Sequence, residues 1–326
     1  MGGSLSQGDG NVFQKQPLMR KVLWALAPIG LYSIWAYGLR ALAVAAVTFA
    51  VGVGVEWLFE RKKGGKTSEA VLVSCALYAL SMPPAVPLWI VALGIAFGVF
   101  MAKEVYGGFG RNVFNVAIAG RLFVYISFAG ALGASWLPHG GFGMGAGNLF
   151  GPVDAYSGAT PLELMRTGGS VPILDLLLGL RDGTLGEAPI VLILAAAVYM
   201  AATKTANWKL MVATAAGGLA AAGGLLLAGV AKALPLESLL AGSFLFVAVF
   251  MATDPVTAPK KAPAQWAYGL LIGAVAVVIR TFSLFPEGTS FAILIGNSFA
   301  SLFDRMAADA AARKKARAAT AAGGAA

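Results

Sequence analysis

A short polar run, Asp154-Ala-Tyr-Ser-Gly-Ala-Thr160, combines residue types that can accept a covalently attached phosphate group. The hydroxyl of Thr160 can form a phosphoester, and the small residues Gly158 and Ala159 let a bulky group and a modifying enzyme approach the backbone. Neighbouring backbone N–H groups can hold a phosphate. The alternative is an ordinary polar turn in which Thr160 caps a helix that begins at Pro161. The run alone leaves both interpretations open.

Three polar residues further up the chain are candidates for holding a ligand in apolar surroundings. Arg121 lies inside an apolar segment, where a charge costs at least about 2.5–3.5 kcal/mol unless it is paired. We therefore expect an anion opposite it, either a bound anionic group or a carboxylate such as Glu104 in a structural ion pair. Asn112 and Asn115 are expected either to hydrogen-bond a ligand or to cap a broken helix.

Three carboxylates stand in or at the ends of apolar segments and are candidates for an ion pathway. They are Glu56, Asp254 and Asp304, of which Asp254 lies in a break that contains proline. Hard oxygen ligands suit Na+ and a relayed proton alike. A solvated helix end is the alternative explanation for Glu56 and for Asp304.

Side chains that ligate metals in redox proteins are scarce in this chain. It has one cysteine, Cys75, and one histidine, His139. It cannot build a four-thiolate iron–sulfur site or a bis-histidine haem from its own side chains. We interpret Cys75 as a small buried apolar residue and His139 as a loop residue. We expect no metal site and no catalytic side chain in this chain alone, so any electron carrier must be organic or shared with another subunit.

The composition fits a lipid bilayer. Of the 326 residues 58% are hydrophobic and 12% are charged, and the mean hydropathy is +0.77. The net charge of +9 comes from short basic clusters that are scattered between apolar runs, so the sequence favours no nucleic-acid partner. We predict an all-α polytopic membrane protein of about ten transmembrane helices. The predicted segments are 21–39, 41–59, 69–82, 87–101, 113–134, 189–203, 209–231, 239–253, 266–283 and 289–303.

The distribution of basic residues predicts the orientation. Of the 24 lysines and arginines, eighteen lie on the side of the N-terminus, five lie on the opposite side and Arg121 lies inside a span. The positive-inside rule then places both termini in the cytoplasm. The long loop 135–188, which contains Thr160, is predicted to face the periplasmic or outer side.

Two proline-rich stretches suggest an internal repeat. Residues 79–89 follow one short apolar segment, and residues 251–259, with Trp266 soon after, follow another. Because five spans per half is an odd number, two such repeats must have opposite topology. The predicted regions are a cytoplasmic tail (1–19), a first five-helix repeat (20–134), the outer loop (135–188), a second five-helix repeat (189–305) and a basic tail (306–326). The basic tail is expected to contact anionic lipid headgroups.

Several separated motifs together resemble the NqrB/RnfD family, the flavin-carrying membrane subunits of the Na+-translocating NADH:quinone oxidoreductase and of the Rnf complex. The resemblance extends from about residue 20 to residue 306. Val116 and Ser301 stand where the family usually has proline, which suggests straighter helices at those positions. The motifs that carry the resemblance are Asp154-x-x-Ser157-Gly-Ala-Thr160, Lys103-Glu-Val-Tyr-Gly-Gly-Phe-Gly-Arg-Asn112 with Asn115, Ala119-Gly-Arg-Leu-Phe123, Phe250-Met-Ala-Thr-Asp-Pro-Val-Thr257, Phe285-Pro-Glu-Gly288 and Ala292-Ile-Leu-Ile-Gly-Asn297.

The resemblance implies that Thr160 carries FMN through its phosphate, attached by a separate Mg2+-dependent flavin transferase that uses FAD. The motif residues Asp154, Ser157, Gly158 and Ala159 are then part of this site. A reduced flavin or the FMN phosphate becomes a candidate anion for Arg121.

The resemblance also implies a second, non-covalent riboflavin and, on the Nqr branch, a quinone site. Glu56 and Asp304 would take part in cation uptake from the cytoplasm. Other subunits must handle NADH or ferredoxin, since the glycines of 140–147 lack the strand and helix of a dinucleotide-binding fold. The membrane would be the cytoplasmic membrane of a bacterium or archaeon.

A channel or secondary carrier for a small solute is the competing hypothesis, because ten spans in two inverted repeats would suit it equally well. A carrier has no use for a modified Thr160, so the modification discriminates between the two. The choice between Nqr and Rnf, and between Na+ and H+, stays open at this point.

Overall fold

The computed structural model of the protein describes residues 13–137, 164–165, 169, 171–179, 181–283 and 288–323. The described residues are mostly helical, and strand occurs among them as one pair of two-residue segments. The predicted all-α class is therefore confirmed, and the chain is a multi-pass membrane protein.

Each predicted apolar segment overlaps a helix. The first group is α1 (Pro17–Tyr37), α2 (Leu39–Lys63), α3 (Ala70–Leu80), α4 (Leu88–Val99) with a π-helix, π1 (Phe100–Glu104), then α5 (Val116–Ser127), α6 (Ala129–Gly133) and α7 (Ile173–Leu178). The second group is α8 (Ile190–Ala202), α9 (Trp208–Leu227), α10 (Pro235–Leu240), α11 (Phe244–Phe246), a second π-helix, π2 (Val247–Met251), α12 (Ala262–Phe282) and α13 (Gly288–Gly323).

Three of these helices, α2, α9 and α12, have the length and hydropathy to cross a membrane by themselves. The helices α3, α5 and α8 are apolar but shorter. The segment 239–253 differs from its prediction as one span, because it is divided into α10, α11 and π2. Gly242 adopts a φ of 62° between α10 and α11, a left-handed conformation that glycine tolerates and that ends the helix there.

Glycines permit the closest helix contacts within each half. A Cβ atom on Gly120 of α5 would lie 2.5 Å from the Gly94 carbonyl oxygen of α4. A Cβ atom on Gly273 of α12 would lie 2.5 Å from the backbone nitrogen of Gly218 in α9 and would also meet the Thr214 carbonyl oxygen. Small residues let membrane helices pack backbone to backbone in this way.

The two halves meet through α1 with α8 and through α5 with α13. If the proline-rich stretches mark equivalent positions, α1 corresponds to α8 and α5 to α13. Each contact then joins one helix to its own counterpart, which is the arrangement expected around a pseudo-twofold axis. The inverted repeat and its orientation in the membrane remain predictions.

The segment before α1 is fixed against the turn between α2 and α3. Strand β1 (Phe13–Gln14) pairs in parallel with β2 (Thr67–Ser68). The backbone N–H of Gln16 donates to the Glu69 carboxylate (2.6 Å), which also accepts from the Arg20 guanidinium (2.9 Å). These contacts fix the position of Ser68 in β2 relative to the start of α1.

The end of the predicted outer loop is folded into the bundle. The N–H of Leu185 donates to the Met82 carbonyl (3.1 Å), and the N–H of Gly186 donates to the Leu80 carbonyl (2.6 Å). The Ser33 hydroxyl of α1 donates to the Leu185 carbonyl. Residues 181–188 are thus an inserted segment between α1 and the end of α3, and α7 is a short helix before it.

Candidate functional site

A cavity between the two halves brings together three of the predicted site residues. Asn112 and Asn115 line it from the first half, and Asp254 lines it from the turn after π2. The aromatic side chains of Phe109 and Phe250 also line it. The site therefore combines residues that are more than a hundred positions apart in sequence.

Asn115 links the halves through its backbone and its side chain. Its Oδ1 accepts from the Ile118 N–H (3.1 Å) and so caps α5. Its own N–H donates to Oδ1 of Asn297 in α13 (3.1 Å), and its Nδ2 donates to Oδ2 of Asp254 (3.3 Å). Asn112 donates to the Phe114 carbonyl within the same turn (3.2 Å). The helix-capping interpretation of Asn115 is confirmed, and a role of either residue in holding a ligand stays a prediction.

Asp254 is the carboxylate of this cavity. Besides the Asn115 amide, it accepts from the Val256 N–H (3.0 Å) and from the Thr257 hydroxyl (3.2 Å). These donors orient the carboxylate toward the junction of the two halves.

Glu56 lies in a buried polar triad. Its Oε2 is 2.5 Å from Nζ of Lys103, which belongs to π1. Its Oε1 accepts from the Ser68 N–H (2.8 Å) and the Ser68 hydroxyl (2.7 Å), and Lys103 Nζ is 2.8 Å from that hydroxyl oxygen. The exposed fractions are 1% for Glu56 and 2% for both Lys103 and Ser68. The alternative of a solvated helix end is therefore wrong for Glu56.

Asp304, near the middle of α13, caps the segment that leads into α12. Its Oδ2 accepts from the Lys260 N–H (2.9 Å) and its Oδ1 from the Lys261 N–H (2.9 Å). The carboxylate thus joins the end of the second half to the turn that contains Asp254. Asp304 and Asp254 belong to one connected region, although they lie fifty residues apart in the chain.

Arg121 faces a carboxylate in the inserted segment 181–188. Its Nη2 is 3.3 Å from Oε1 of Glu187, and its guanidinium also lies 5.3 Å from the ring centroid of Tyr125. The side chains of Arg121 and Glu187 are 3% and 8% exposed. The expectation of an anionic partner is confirmed, but the suggestion of Glu104 is wrong, because Oε2 of Glu104 is 2.8 Å from Nζ of Lys63.

The same segment holds a second buried arginine. Nη2 of Arg181 donates to the Glu187 carbonyl (3.0 Å). Burial lowers the pKa of the Arg181 guanidinium, and the Glu187 carboxylate opposes that effect. From the sequence, Glu187 resembles the other acidic residues of a solvated loop. Its position two residues before Pro189, at the start of the apolar helix α8, is the available signal that it enters the bundle.

The predicted attachment residues Asp154, Ser157, Gly158, Ala159 and Thr160 lie outside the described residues. Met165 is buried, and it packs in a small apolar cluster with Leu176, Ile190, Leu240 and Ala241.

Comparison with known proteins identifies the family. The family model described as the NQR2, RnfD, RnfE family matches residues 11–313. The chain is 36% identical over 283 residues to the NqrB subunit of the Na(+)-translocating NADH-quinone reductase of Azotobacter vinelandii, covering 82% of this chain and 67% of that protein. The proteins of the same name in Chromohalobacter salexigens and Haemophilus influenzae are each 36% identical, over 83% and 81% of this chain and 67% and 65% of their own length. The chain spans about two thirds of the length of these relatives, and it belongs to the NQR2, RnfD and RnfE family.

Proposed function

We propose that this chain is the membrane subunit of a multi-subunit, ion-translocating oxidoreductase, and that it passes electrons through flavins. Family membership over residues 11–313 is the observation that carries this proposal. The relatives named above are subunits of a Na(+)-translocating NADH-quinone reductase, which makes Na+ the transported ion on this proposal. The competing hypothesis of a solute carrier explains the membrane fold, but it does not explain why the chain belongs to this family.

Covalent FMN on Thr160 is the first cofactor of this proposal. A threonine hydroxyl forms a phosphoester, and the motif Asp154-x-x-Ser157-Gly-Ala-Thr160 supplies the small residues around it. A flavin transferase is the partner that attaches the group. Bound FMN supplies one-electron and two-electron redox chemistry. The chain's part is to hold it on the outer side of the membrane.

We assign a second, non-covalent flavin such as riboflavin to the cavity between the halves. Phe109 and Phe250 line the cavity with aromatic side chains, and Asn112 and Asn115 line it with amide groups. Riboflavin has no phosphate, so neutral amide groups suit its polar edge. The cavity lies where α1, α3 and the turn after π2 meet, which is the junction of the two halves.

The proposed setting is a bacterial or archaeal cytoplasmic membrane with both termini in the cytoplasm and the Thr160 loop on the outer side. Partner subunits take electrons from NADH or ferredoxin and, on the Nqr branch, deliver them to a quinone. Glu56 and Asp254 are the carboxylates that we assign to the ion pathway, because both are held in the interior by other polar groups. The basic residues of α13 beyond Asp304 contact anionic lipid.

Replacing Thr160 by alanine is expected to remove an adduct with the mass of FMN less one water from the peptide that contains residue 160. The alanine side chain has no hydroxyl that could form the phosphoester. The measurement is peptide mass spectrometry of the protein from its native membrane, with in-gel flavin fluorescence as a second readout. Thr167→Ala, in the same loop, is the matched control and should keep the adduct. An unmodified Thr160 in an active native complex would refute covalent attachment and favour the carrier hypothesis.

A further inference from the structure

The triad of Glu56, Ser68 and Lys103 has the composition of a monovalent-cation site that is occupied by a lysine. Oε2 of Glu56 and the hydroxyl oxygen of Ser68 converge on one point, and Nζ of Lys103 fills it at 2.5 Å from Oε2 and 2.8 Å from Oγ. Carboxylate and hydroxyl oxygens are the ligands that hard cations prefer. The lysine ammonium thus stands where such a cation would bind.

Charge balance requires that a cation always occupies this point next to the Glu56 carboxylate. Glu56 and Lys103 are 1% and 2% exposed, and an ionised carboxylate inside a membrane protein needs a positive partner. If the ammonium leaves, another cation must replace it. Exchange at this point is therefore one for one, with no net change of charge in the triad.

The Lys103 side chain can also reach a second location. It also lines the cavity between the halves, together with Phe109 and Asp254. Its Nζ is already 6.0 Å from the ring centroid of Phe109, so a rotation of the flexible stem can turn the ammonium toward the aromatic face and the cavity. Lys103 lies in π1, and π-helical turns inside α-helices are frequent at functional sites.

We propose that Lys103 is a tethered cation that occupies the Glu56–Ser68 site, and that the transported cation binds there by displacing the Lys103 ammonium into the cavity between the halves. The identity of that cation as Na+ rests on the proposed function above. The displaced ammonium adds positive charge to the cavity, so a negative charge that arrives in the cavity favours the displaced position. Cation uptake and charge in the cavity are coupled through one side chain.

The neighbouring pair of Lys63 and Glu104 provides a natural comparison. Nζ of Lys63 is 2.8 Å from Glu104 Oε2, but the Lys63 side chain is 41% exposed. It does not line the cavity, and it also contacts Glu60. Lys63 is therefore an ordinary ion-pair partner at the surface, whereas Lys103 connects a buried carboxylate to an internal cavity.

The first experiment measures 22Na+ binding to the assembled complex, without electron transfer, for the wild type, Lys103→Met and Lys63→Met. A tethered competitor acts at an effective concentration in the millimolar range, so we expect Lys103→Met to bind Na+ at least about tenfold more tightly. Lys63→Met should bind like the wild type, and adding Glu56→Gln to Lys103→Met should abolish the gain. A mildly alkaline buffer keeps protons from competing for the carboxylate. An unchanged or weaker affinity in assembled Lys103→Met overturns the proposal.

A second measurement uses the wild-type complex and decides the question if Lys103→Met does not assemble. Acetylation of Lys103 by a small acylating reagent is followed by peptide mass spectrometry in NaCl and in choline chloride. Displacement into the cavity predicts that the acetylation rate rises with Na+ concentration and saturates, while the rate at Lys63 stays constant. A Lys103 rate that is equal in both salts overturns the proposal. Neither readout depends on flavin, so a failure here is distinct from a loss of the Thr160 adduct.

Discussion

Replacing Glu187 by alanine is expected to destabilise the protein by about 3–5 kcal/mol, because it removes the carboxylate from a buried ion pair and leaves the charge of Arg121 inside the bundle. The two side chains are 8% and 3% exposed, and their charged atoms are 3.3 Å apart. The backbone carbonyl of residue 187, which accepts from Arg181, is retained in this variant, so the loss comes from the side chain alone. The measurement is the thermal midpoint of the detergent-solubilised protein, followed by size-exclusion chromatography after heating.

A double variant separates the ion pair from other roles of Glu187. Arg121→Met combined with Glu187→Leu replaces both charges by apolar groups and should recover most of the lost stability. Glu237→Ala removes a partly buried carboxylate from α10 and should change the stability by less than about 0.5 kcal/mol. If Glu187→Ala and Glu237→Ala have equal midpoints, the buried pair does not stabilise the native protein.

The fold class is predictable because it depends on a signal that is local in sequence. Apolar runs of sufficient length must be helical in a bilayer, since every backbone polar group has to be satisfied within the segment. The break inside 239–253 escapes such a prediction because hydropathy does not report backbone conformation. There the left-handed Gly242, at a φ of 62°, and the extended Ala241 separate α10 from α11.

The polar site is predictable only where its chemistry is local. Asn115 caps its own helix three residues on, which a sequence pattern can show. Its bond to Asp254 joins positions 139 apart and depends on the packing of the two halves. Glu56 is recognisable as a candidate carboxylate, but its partner Lys103 looks in the sequence like a basic residue of a cytoplasmic loop.

The burial of Glu187 is also not predictable from the sequence. An acidic residue in a segment rich in glycine and charge is normally solvated. Here two backbone hydrogen bonds to Leu80 and Met82 draw the segment into the bundle. The buried charge of Arg121 predicts that an anion must lie opposite it, but the sequence contains several candidates and no means of ranking them.

Substituting Gly273 by alanine is expected to separate α9 from α12 and to destabilise the protein by about 3 kcal/mol or more. The new methyl group would meet the Thr214 carbonyl oxygen and lie 2.5 Å from the Gly218 nitrogen. Both atoms are backbone atoms, so no side chain can rotate away and the helices themselves must move apart. Helices α9 and α12 are both long and apolar enough to span the membrane alone. They share the most extensive helix contact of the second half, so the second half would lose its main contact.

Gly223→Ala, in the partner helix α9, is the control. A Cβ atom at Gly223 has no heavy atom within 4 Å, so alanine there should leave the stability unchanged or raise it by about 0.5–1 kcal/mol through reduced backbone freedom. Thermal midpoints of both variants in the same detergent test the contrast. Equal midpoints would show that α9 and α12 do not pack backbone to backbone. A large loss in Gly273→Ala alone would establish that glycine is required at this position by the contact between the helices, since a change from glycine to alanine outside that contact is tolerated.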